Sequence, residues 1–397
     1  MPAEWHPHQA TWLSYPSNET TFPELDQVRR AYHDMISALL PEEEVHLLID
    51  DERVEEPVRK ALSSALPQER LVCHVLPTVD VWIRDYGPNF LLRQAKPAED
   101  QNDGESRRGV NSAVGSHQRQ WGRDGGRGSD APPTPRRARR AEDHSADGSA
   151  QTAYNDWIFN AWGGKYDDLL ADNSVPLRLE PILQMPRFAP GIVMEGGSIE
   201  VDGQGTCLTT EQCLLNPNRN PHLKRREIEE HLRDFLGVRR VLWLGEGIVG
   251  DDTDGHIDDI ARFASADTIV CALEDDSADE NYALLRDNLK RLKSFRRRDG
   301  RPYRIVTLPM PEAIREEDGT RLPASYANFY IANGVVLVPT FHDPNDAQAL
   351  EALRDIFPGR RVQGIDCRQL VRGLGTLHCV TQQQPWLADE SPPQDRN

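Results

Sequence analysis

The sequence lacks paired cysteines, apolar runs long enough to cross a bilayer, and any excess of positive charge. Each absence removes a class of protein. Cys73, Cys207, Cys213, Cys271, Cys367 and Cys379 are scattered with no C-x-x-C spacing, which argues against a zinc cluster or a disulfide framework. No apolar stretch approaches the ~20 residues a spanning helix needs, and no basic segment followed by an apolar one opens the chain. A cytoplasmic protein with reduced thiols, and no membrane partner, is the expectation. Lys and Arg number 46 against 64 Asp and Glu, a formal net charge of -18, so phosphate polymers are repelled and no nucleic-acid partner is expected. The same charge suits a cationic ligand or a salt-adapted host.

What is present is alternating strand and helix patterning. Residues 10–13 read as a short strand. Residues 24–40 place Leu25, Val28, Tyr32, Met35, Ile36 and Leu39 on one helical face, and Pro41 ends that helix. Strand-type runs over 45–49 and 71–76 flank a second expected helix over about 53–66. Further along, one order of elements recurs. A hairpin about Asp202-Gly203 leads to a helix over 221–236 and a strand over 238–244. Strands over 260–264 and 268–273, a helix over 279–295 and a strand over 303–308 repeat it. Strands over 328–332 and 335–338, a helix over 346–357 and a strand over 361–365 repeat it again. Two more units can be assembled. One runs from residue 89 through Trp157 to 177, and the other joins a strand over 377–381 to the first strand. A ring closed by its two ends follows. Residues 97–150, rich in Gly, Ser, Arg, Asp and Pro, cannot build a core and read as a disordered insertion in a single domain spanning 1–397.

Residues that could carry chemistry fall where one unit passes into the next. The acidic turn Asp251-Asp252-Thr253-Asp254-Gly255-His256-Ile257-Asp258 needs a cation among its carboxylates, whether a metal, an arginine or a substrate. With Ile257 inward, strand alternation would put His256 and Asp258 on one face. An EF-hand does not fit, because Gly250 and Ala261 fall where the first and last ligands belong. A solvated acidic turn is the plain alternative. Asp85 is expected at a strand-to-strand turn before Gly87-Pro88, and Glu195 opens a turn with Gly196-Gly197-Ser198. Cys379, beside His378 in an expected strand, is either a buried hydrophobe or a nucleophile whose base comes from elsewhere, with His256 the candidate.

Several long motifs occur together. They include Pro2-Ala3-Glu4-Trp5, Trp82-Ile83-Arg84-Asp85-Tyr86-Gly87-Pro88, Phe159-Asn160-Ala161-Trp162-Gly163-Gly164-Lys165-Tyr166 and Met194-Glu195-Gly196-Gly197-Ser198. Leu208-Thr209-Thr210-Glu211, Asn216-Pro217-Asn218-Arg219-Asn220-Pro221 and Thr253-Asp254-Gly255-His256-Ile257-Asp258 follow. Ala324-Ser325-Tyr326-Ala327-Asn328-Phe329-Tyr330 and His378-Cys379-Val380-Thr381-Gln382-Gln383-Gln384-Pro385 complete the set. Together they resemble the agmatine deiminase family, the bacterial peptidylarginine-deiminase-like group of guanidino-modifying enzymes.

The resemblance implies a pentein fold, a five-bladed α/β propeller around a central site. It also implies hydrolysis of agmatine to N-carbamoylputrescine and ammonia through a thiouronium on Cys379. His256 would be the general acid and base and Glu195 its orienting partner, with Asp85 and Asp258 gripping the guanidinium. Trp82, Asn328 and Glu4 are candidates for the far amine. This chemistry requires no metal or organic cofactor. Agmatine deiminases of the plant type carry Asn where this chain has Asp254, and Gly-Gly-Asn where it has Leu374-Gly375-Thr376. Free arginine, peptidyl arginine, amidino transfer and a non-enzymatic cation-binding module are the alternatives. The oligomeric state stays open, with a homodimer entertained.

Overall fold

Sixteen strands fall into five sheets in the computed structural model, which describes residues 1–64, 67–93 and 151–387. The first sheet joins the two ends of the chain. Strand β1 (His8–Ser14) runs antiparallel to β16 (Gln382–Pro385) and parallel to β2 (Glu44–Ile49), which pairs in parallel with β3 (Leu71–Val75). The second holds β4 (Asn89–Arg93), β5 (Gln151–Asn155) and β6 (Arg187–Phe188), and the third β7 (Glu200–Val201), β8 (Thr206–Thr210) and β9 (Arg240–Leu244). The fourth holds β10 (Ala261–Ser265), β11 (Thr268–Leu273) and β12 (Arg304–Pro309), and the fifth β13 (Tyr330–Ile331), β14 (Val335–Thr340) and β15 (Arg361–Asp366). Each sheet begins with an antiparallel pair and adds a parallel strand after a helix. The helices are Leu25–Leu39, Val175–Leu183, Arg225–Leu236, Asn281–Ser294 and Asp346–Ile356. A parallel neighbour can be reached only through such a crossover.

Local sequence explains these elements. The middle strands β8 and β14 are buried along nearly their whole length, which is why 335–338 is unbroken Val and Leu. Helix Asn281–Ser294 buries Leu285, Leu289 and Leu292 on one stripe. Two buried asparagines tie it to the loop leading to the acidic turn. Asn281 Oδ1 accepts from the Val249 N–H at 2.8 Å, and Asn288 Oδ1 accepts from the Gly245 N–H at 2.9 Å. Helix Arg225–Leu236 stops at Gly237, whose φ of +70° closes a left-handed cap.

The expected ranges for the three repeats after residue 198 agree with these elements to within a few residues, helix 221–236 starting latest. Elsewhere there are corrections. The second helix is shorter than 53–66, covering Glu55–Ala61, because Val58 is the only buried residue within it. Strand β5 starts six residues before Trp157, and its Gln151 faces Arg93 in register. Arg93 and Gln151 are therefore neighbours on adjacent strands, and the expected insertion at 97–150 lies outside the described residues. Residues 377–381 form a turn, with the strand beginning only at Gln382. The Val380 N–H donates to the Thr376 carbonyl at 3.3 Å and the Thr381 N–H to the His378 carbonyl at 3.1 Å, bonds of a turn rather than of a strand. Asp85 sits in a single helical turn, Ile83–Tyr86, and Asp258 in the 3-10 turn Ile257–Asp259. All six cysteines are free, and no described helix is long and apolar enough to cross a membrane.

Leu285→Ala should cost about 3 kcal/mol of stability, the usual penalty for emptying a fully buried leucine site. Lys290→Ala on the exposed face of the same helix should change it by under about 0.5 kcal/mol. Urea midpoints of the two variants check this, and equal midpoints would contradict the packing described.

Candidate active site

Every sheet is preceded, by two to five residues, by one of the side chains singled out above: Asp85 before β4, Glu195 before β7, Asp258 before β10, Asn328 before β13 and Cys379 before β16. The joints carrying Glu195, Asp85 and Asp258 meet at Gly197. A Cβ added there would lie 2.6 Å from His256 Nδ1, 2.8 Å from Asp85 Oδ1 and 3.1 Å from Asp258 Oδ2. Two segments far apart in the chain, one carrying Asp85 and the other His256 and Asp258, thus close on one glycine, and only glycine leaves room for them. Gly197 also contributes its N–H, which donates to Asp85 Oδ1 at 2.9 Å, while the Trp162 indole donates to Oδ2 at 2.9 Å.

The acidic turn distributes its carboxylates rather than pooling them. Asp251 caps the turn, accepting from the Thr253 N–H at 2.8 Å and the His256 N–H at 3.0 Å. Asp252 accepts from the Tyr166 hydroxyl, and Asp254 pairs with Lys165 at 2.8 Å and Arg219 at 2.5 Å. The cation this turn needed is therefore partly an arginine. Asp254 and Gly255 both adopt positive φ, at 65° and 84°, a conformation that Asp tolerates nearly as well as Asn. Asp258 remains, buried, with Oδ2 at 2.7 Å from His378 Nδ1 and Oδ1 without a hydrogen-bond partner among the described residues. His256 and Asp258 do lie together, but a 3-10 turn and not strand alternation puts them there.

Glu195 is fully buried. Its Oε1 accepts from Arg219 Nε at 2.6 Å, and Oε2 has no hydrogen-bond partner among the described residues. Glu195, His256 and Cys213 each present a ligand-type atom within 4.8 Å of the others. A metal would have to share that place with the Arg219 guanidinium, which already neutralises Glu195. Cys379 Sγ receives a hydrogen bond from Asn328 Nδ2 at 3.1 Å and lies 3.6 Å from Asp258 Oδ2. Asn328 Oδ1 accepts from the His378 N–H at 3.0 Å and the Thr376 hydroxyl at 2.8 Å, so one amide shapes the cysteine turn. Trp82 packs against Gly375 and, with Asp85, Trp162, Thr253, Leu374 and Cys379, lines a cavity of about 260 Å³.

The electrostatics follow from burial. Burial pushes the Cys379 thiol well above its usual range, and the carboxylates of Asp258, Asp259 and Asp85 add to this. Burial likewise raises Asp85 to about 6; the His256 charge opposes the shift, and Asp258 and Glu195 reinforce it. For His256 burial acts downward, yet Asp85, Cys213 and Asp258 together hold it well above an ordinary histidine. Asp85 and Asp258 thus act on both groups, disfavouring the Cys379 thiolate and favouring the charged form of His256. A bound cation would favour the thiolate.

Glu4 does not line the cavity and is not placed to read a substrate's far amine. It is buried against Arg262 at 2.8 Å and His378 at 2.8 Å. Asn328 lies against the sulfur. Sequence reasoning assigned no role to Arg219, Trp162, Cys213 or His378. The first two stand inside motifs quoted for the resemblance, and His378 adjoins Cys379. Nothing local marks Cys213.

A buried thiol, an imidazole and several carboxylates around a small cavity, on an α/β frame, define the guanidino-modifying deiminase kind of protein. The chain belongs to the Porphyromonas-type peptidyl-arginine deiminase family, whose sequence pattern matches residues 1–385. It is 35% identical over 390 residues to a putative agmatine deiminase of Legionella pneumophila strain Paris, covering 97% of this chain and 95% of that one. It is 32% identical over 409 residues to the agmatine deiminase of Medicago truncatula, covering 97% and 96%. Among solved structures it resembles the putative arginine deiminase from Porphyromonas gingivalis, with 37% identity, TM-score 0.75 and 97% of each chain covered. The agmatine deiminase of Enterococcus faecalis matches with 28% identity and TM-score 0.75, covering 97% and 95%.

Asp85 yields a pH prediction. Its folded-state value of about 6 lies above the ordinary 3.8, so its charge opposes folding above about pH 6, and the penalty fades as the pH falls toward 4. Asp85→Asn removes a penalty of roughly 2 kcal/mol at neutral pH while leaving one N–H donor without its acceptor. The variant's stability relative to wild type should therefore be higher at pH 7.5 than at pH 4.5 by urea unfolding, with turnover lost. A difference that does not change with pH would contradict the assignment.

Proposed function

We propose that this chain is an agmatine deiminase, cleaving agmatine to N-carbamoylputrescine and ammonia. The observation that carries this reading is the unpartnered Asp258 Oδ1, in a residue whose other oxygen lies 3.6 Å from the Cys379 sulfur. A planar cation gripped there, with Asp85 as the second carboxylate, presents its central carbon to the sulfur. Cys379 thiolate attacks that carbon, and the tetrahedral adduct expels ammonia, which takes its departing proton from His256. This leaves a thiouronium on sulfur. His256, now neutral, removes a proton from water as the water adds to the same carbon, and the sulfur leaves as thiolate with the ureido product released. Glu195 steadies His256, and Arg219 holds Glu195.

The cavity supports agmatine over its relatives. About 260 Å³ suits a small molecule and not a peptide chain. Its lining also contains Asp80, Asp168 and Asp252, while its arginine, Arg372, is engaged by Glu316. A second ammonium is welcome among these carboxylates, and the carboxylate of free arginine is not. The five sheets, each entered through a site residue, we read as the blades of a pentein ring in one catalytic domain, and six free thiols suit a cytoplasmic enzyme.

A panel of guanidines assayed for ammonia and ureido product tests this, with mass spectrometry of Cys379 during turnover. Agmatine should be the best substrate, and an adduct on Cys379 should accumulate. Cys379→Ser should abolish ammonia release. Asp168→Asn, at an exposed position, should raise the KM for agmatine about threefold with kcat little changed. Guanidine binding with no ammonia in wild type would indicate a binding module instead, and preference for free arginine would overturn the distal-amine assignment.

A further inference from the structure

The reaction above leaves one buried histidine without a role. His378 Nδ1 lies 2.7 Å from Asp258 Oδ2, and its Nε2 lies 2.8 Å from Glu4 Oε2. A neutral imidazole carries one N–H, so one of these contacts would set a lone pair against a carboxylate oxygen. Only a ring protonated on both nitrogens donates to both acids. The surrounding charges lead to the same state. Glu4, Glu200 and Asp258 form one buried network with Arg84, Arg262 and His378, in which a protonated His378 adds a third positive charge to two guanidiniums facing three carboxylates.

We propose that His378 is a positioning residue, an imidazolium clamped between Glu4 and Asp258. It keeps Asp258 ionised and occupies Oδ2, so that Oδ1 is the oxygen offered to the guanidinium. The inference rests on the reading under Proposed function, in which Asp258 grips that cation. Its geometry assigns a task to each neighbour. Glu4, near the start of the chain, is fixed through Oε1 by the Ile331 N–H at 2.8 Å and by Arg262, so it cannot follow the ring if the ring moves. The His378 N–H is held by Asn328, the same amide that touches Cys379 Sγ, so ring and sulfur share one support. On the opposite side Asp258 faces His256, Asp259 and Asp85. Those acids favour protonation of Asp258, and His378 opposes them. Burial acts upward on Asp258, yet the hydrogen bond and charge of His378 leave it below the usual carboxylate range. The same cation offsets part of the negative field that disfavours the Cys379 thiolate.

The test uses full-length His378→Asn and Glu4→Gln enzymes with agmatine. In His378→Asn, Asp258 loses its cation. The acid limb of kcat/KM should move up by about one pH unit or more, and KM should rise about tenfold or more, beyond any fall in kcat. In Glu4→Gln the ring loses one acid and releases its proton more readily, so the alkaline limb should move down by about one unit. A purely structural role would lower the melting temperature and leave both limbs in place. Nitrogen-15 NMR of the histidine rings in substrate-free enzyme reads the protonation directly, with His378→Asn locating the signals. Two protonated ring nitrogens at pH 8 in wild type are expected, and a single one overturns the proposal even if His378→Asn turnover cannot be measured. Wild-type limbs and KM in both folded variants would overturn it while leaving the deiminase reading intact. No turnover of any guanidine by wild type would instead remove that reading and the inference with it.

Discussion

The site depends on holding negative charge where there is almost no water. Glu4, Asp85, Glu195 and Asp258 are each 5% exposed or less, and an uncompensated charge so placed costs several kcal/mol. Each is compensated by groups from distant parts of the chain. Arg219 neutralises Glu195, Arg262 and His378 neutralise Glu4, and the Gly197 and Trp162 N–H groups serve Asp85. Compensation is incomplete around the site: Asp258 Oδ1, the ring nitrogens of His256 and Glu195 Oε2 lack hydrogen-bond partners among the described residues, as do scattered atoms of Tyr32, Asn155 and Gln382. Buried polar groups are rarely left so. Two carboxylate oxygens gathered there make surroundings that favour positive charge.

The frame that permits this is repetitive, and repetition places the joints. A hairpin followed by a helix and a parallel strand buries most of its own surface, and the turn that enters the next sheet is short. Five such entries each carry one site residue. No single unit holds more than a fragment of the site, since His256, Cys379, Asp85 and Glu195 belong to four different entries. The price of that arrangement is strain and crowding at the joints. Gly197 has no space for a methyl group, and a Cβ on Gly196 would lie 2.0 Å from the Arg84 carbonyl.

The unligated site is also poised against its own reaction. Three carboxylates raise the thiol, while two of them, Asp85 and Asp258, favour the charged form of His256. The thiolate is favoured only when a positive charge enters among those acids. In the proposed reaction, substrate charge and nucleophile activation would then be one event.

Periodicity alone made the three later repeats legible, because Leu285, Leu289 and Leu292 or Val335 to Val338 must meet a core whatever surrounds them. The reactive residue types were legible as well, since Cys379, His256 and the acids stand in turns rich in glycine or acid. The local conformation of those turns was not. Residues 377–381 read as a strand by composition, and only tertiary contacts, the Asn328 side chain taking two of that turn's N–H groups among them, make it a turn. Roles that depend on pairing were hidden for the same reason. Sequence order says nothing of Glu4 meeting His378 across 374 residues, or of Arg219 reaching Glu195 and Asp254. Side-chain chemistry is written in the sequence, whereas the partner that sets each group's charge is decided only when distant segments are desolvated together.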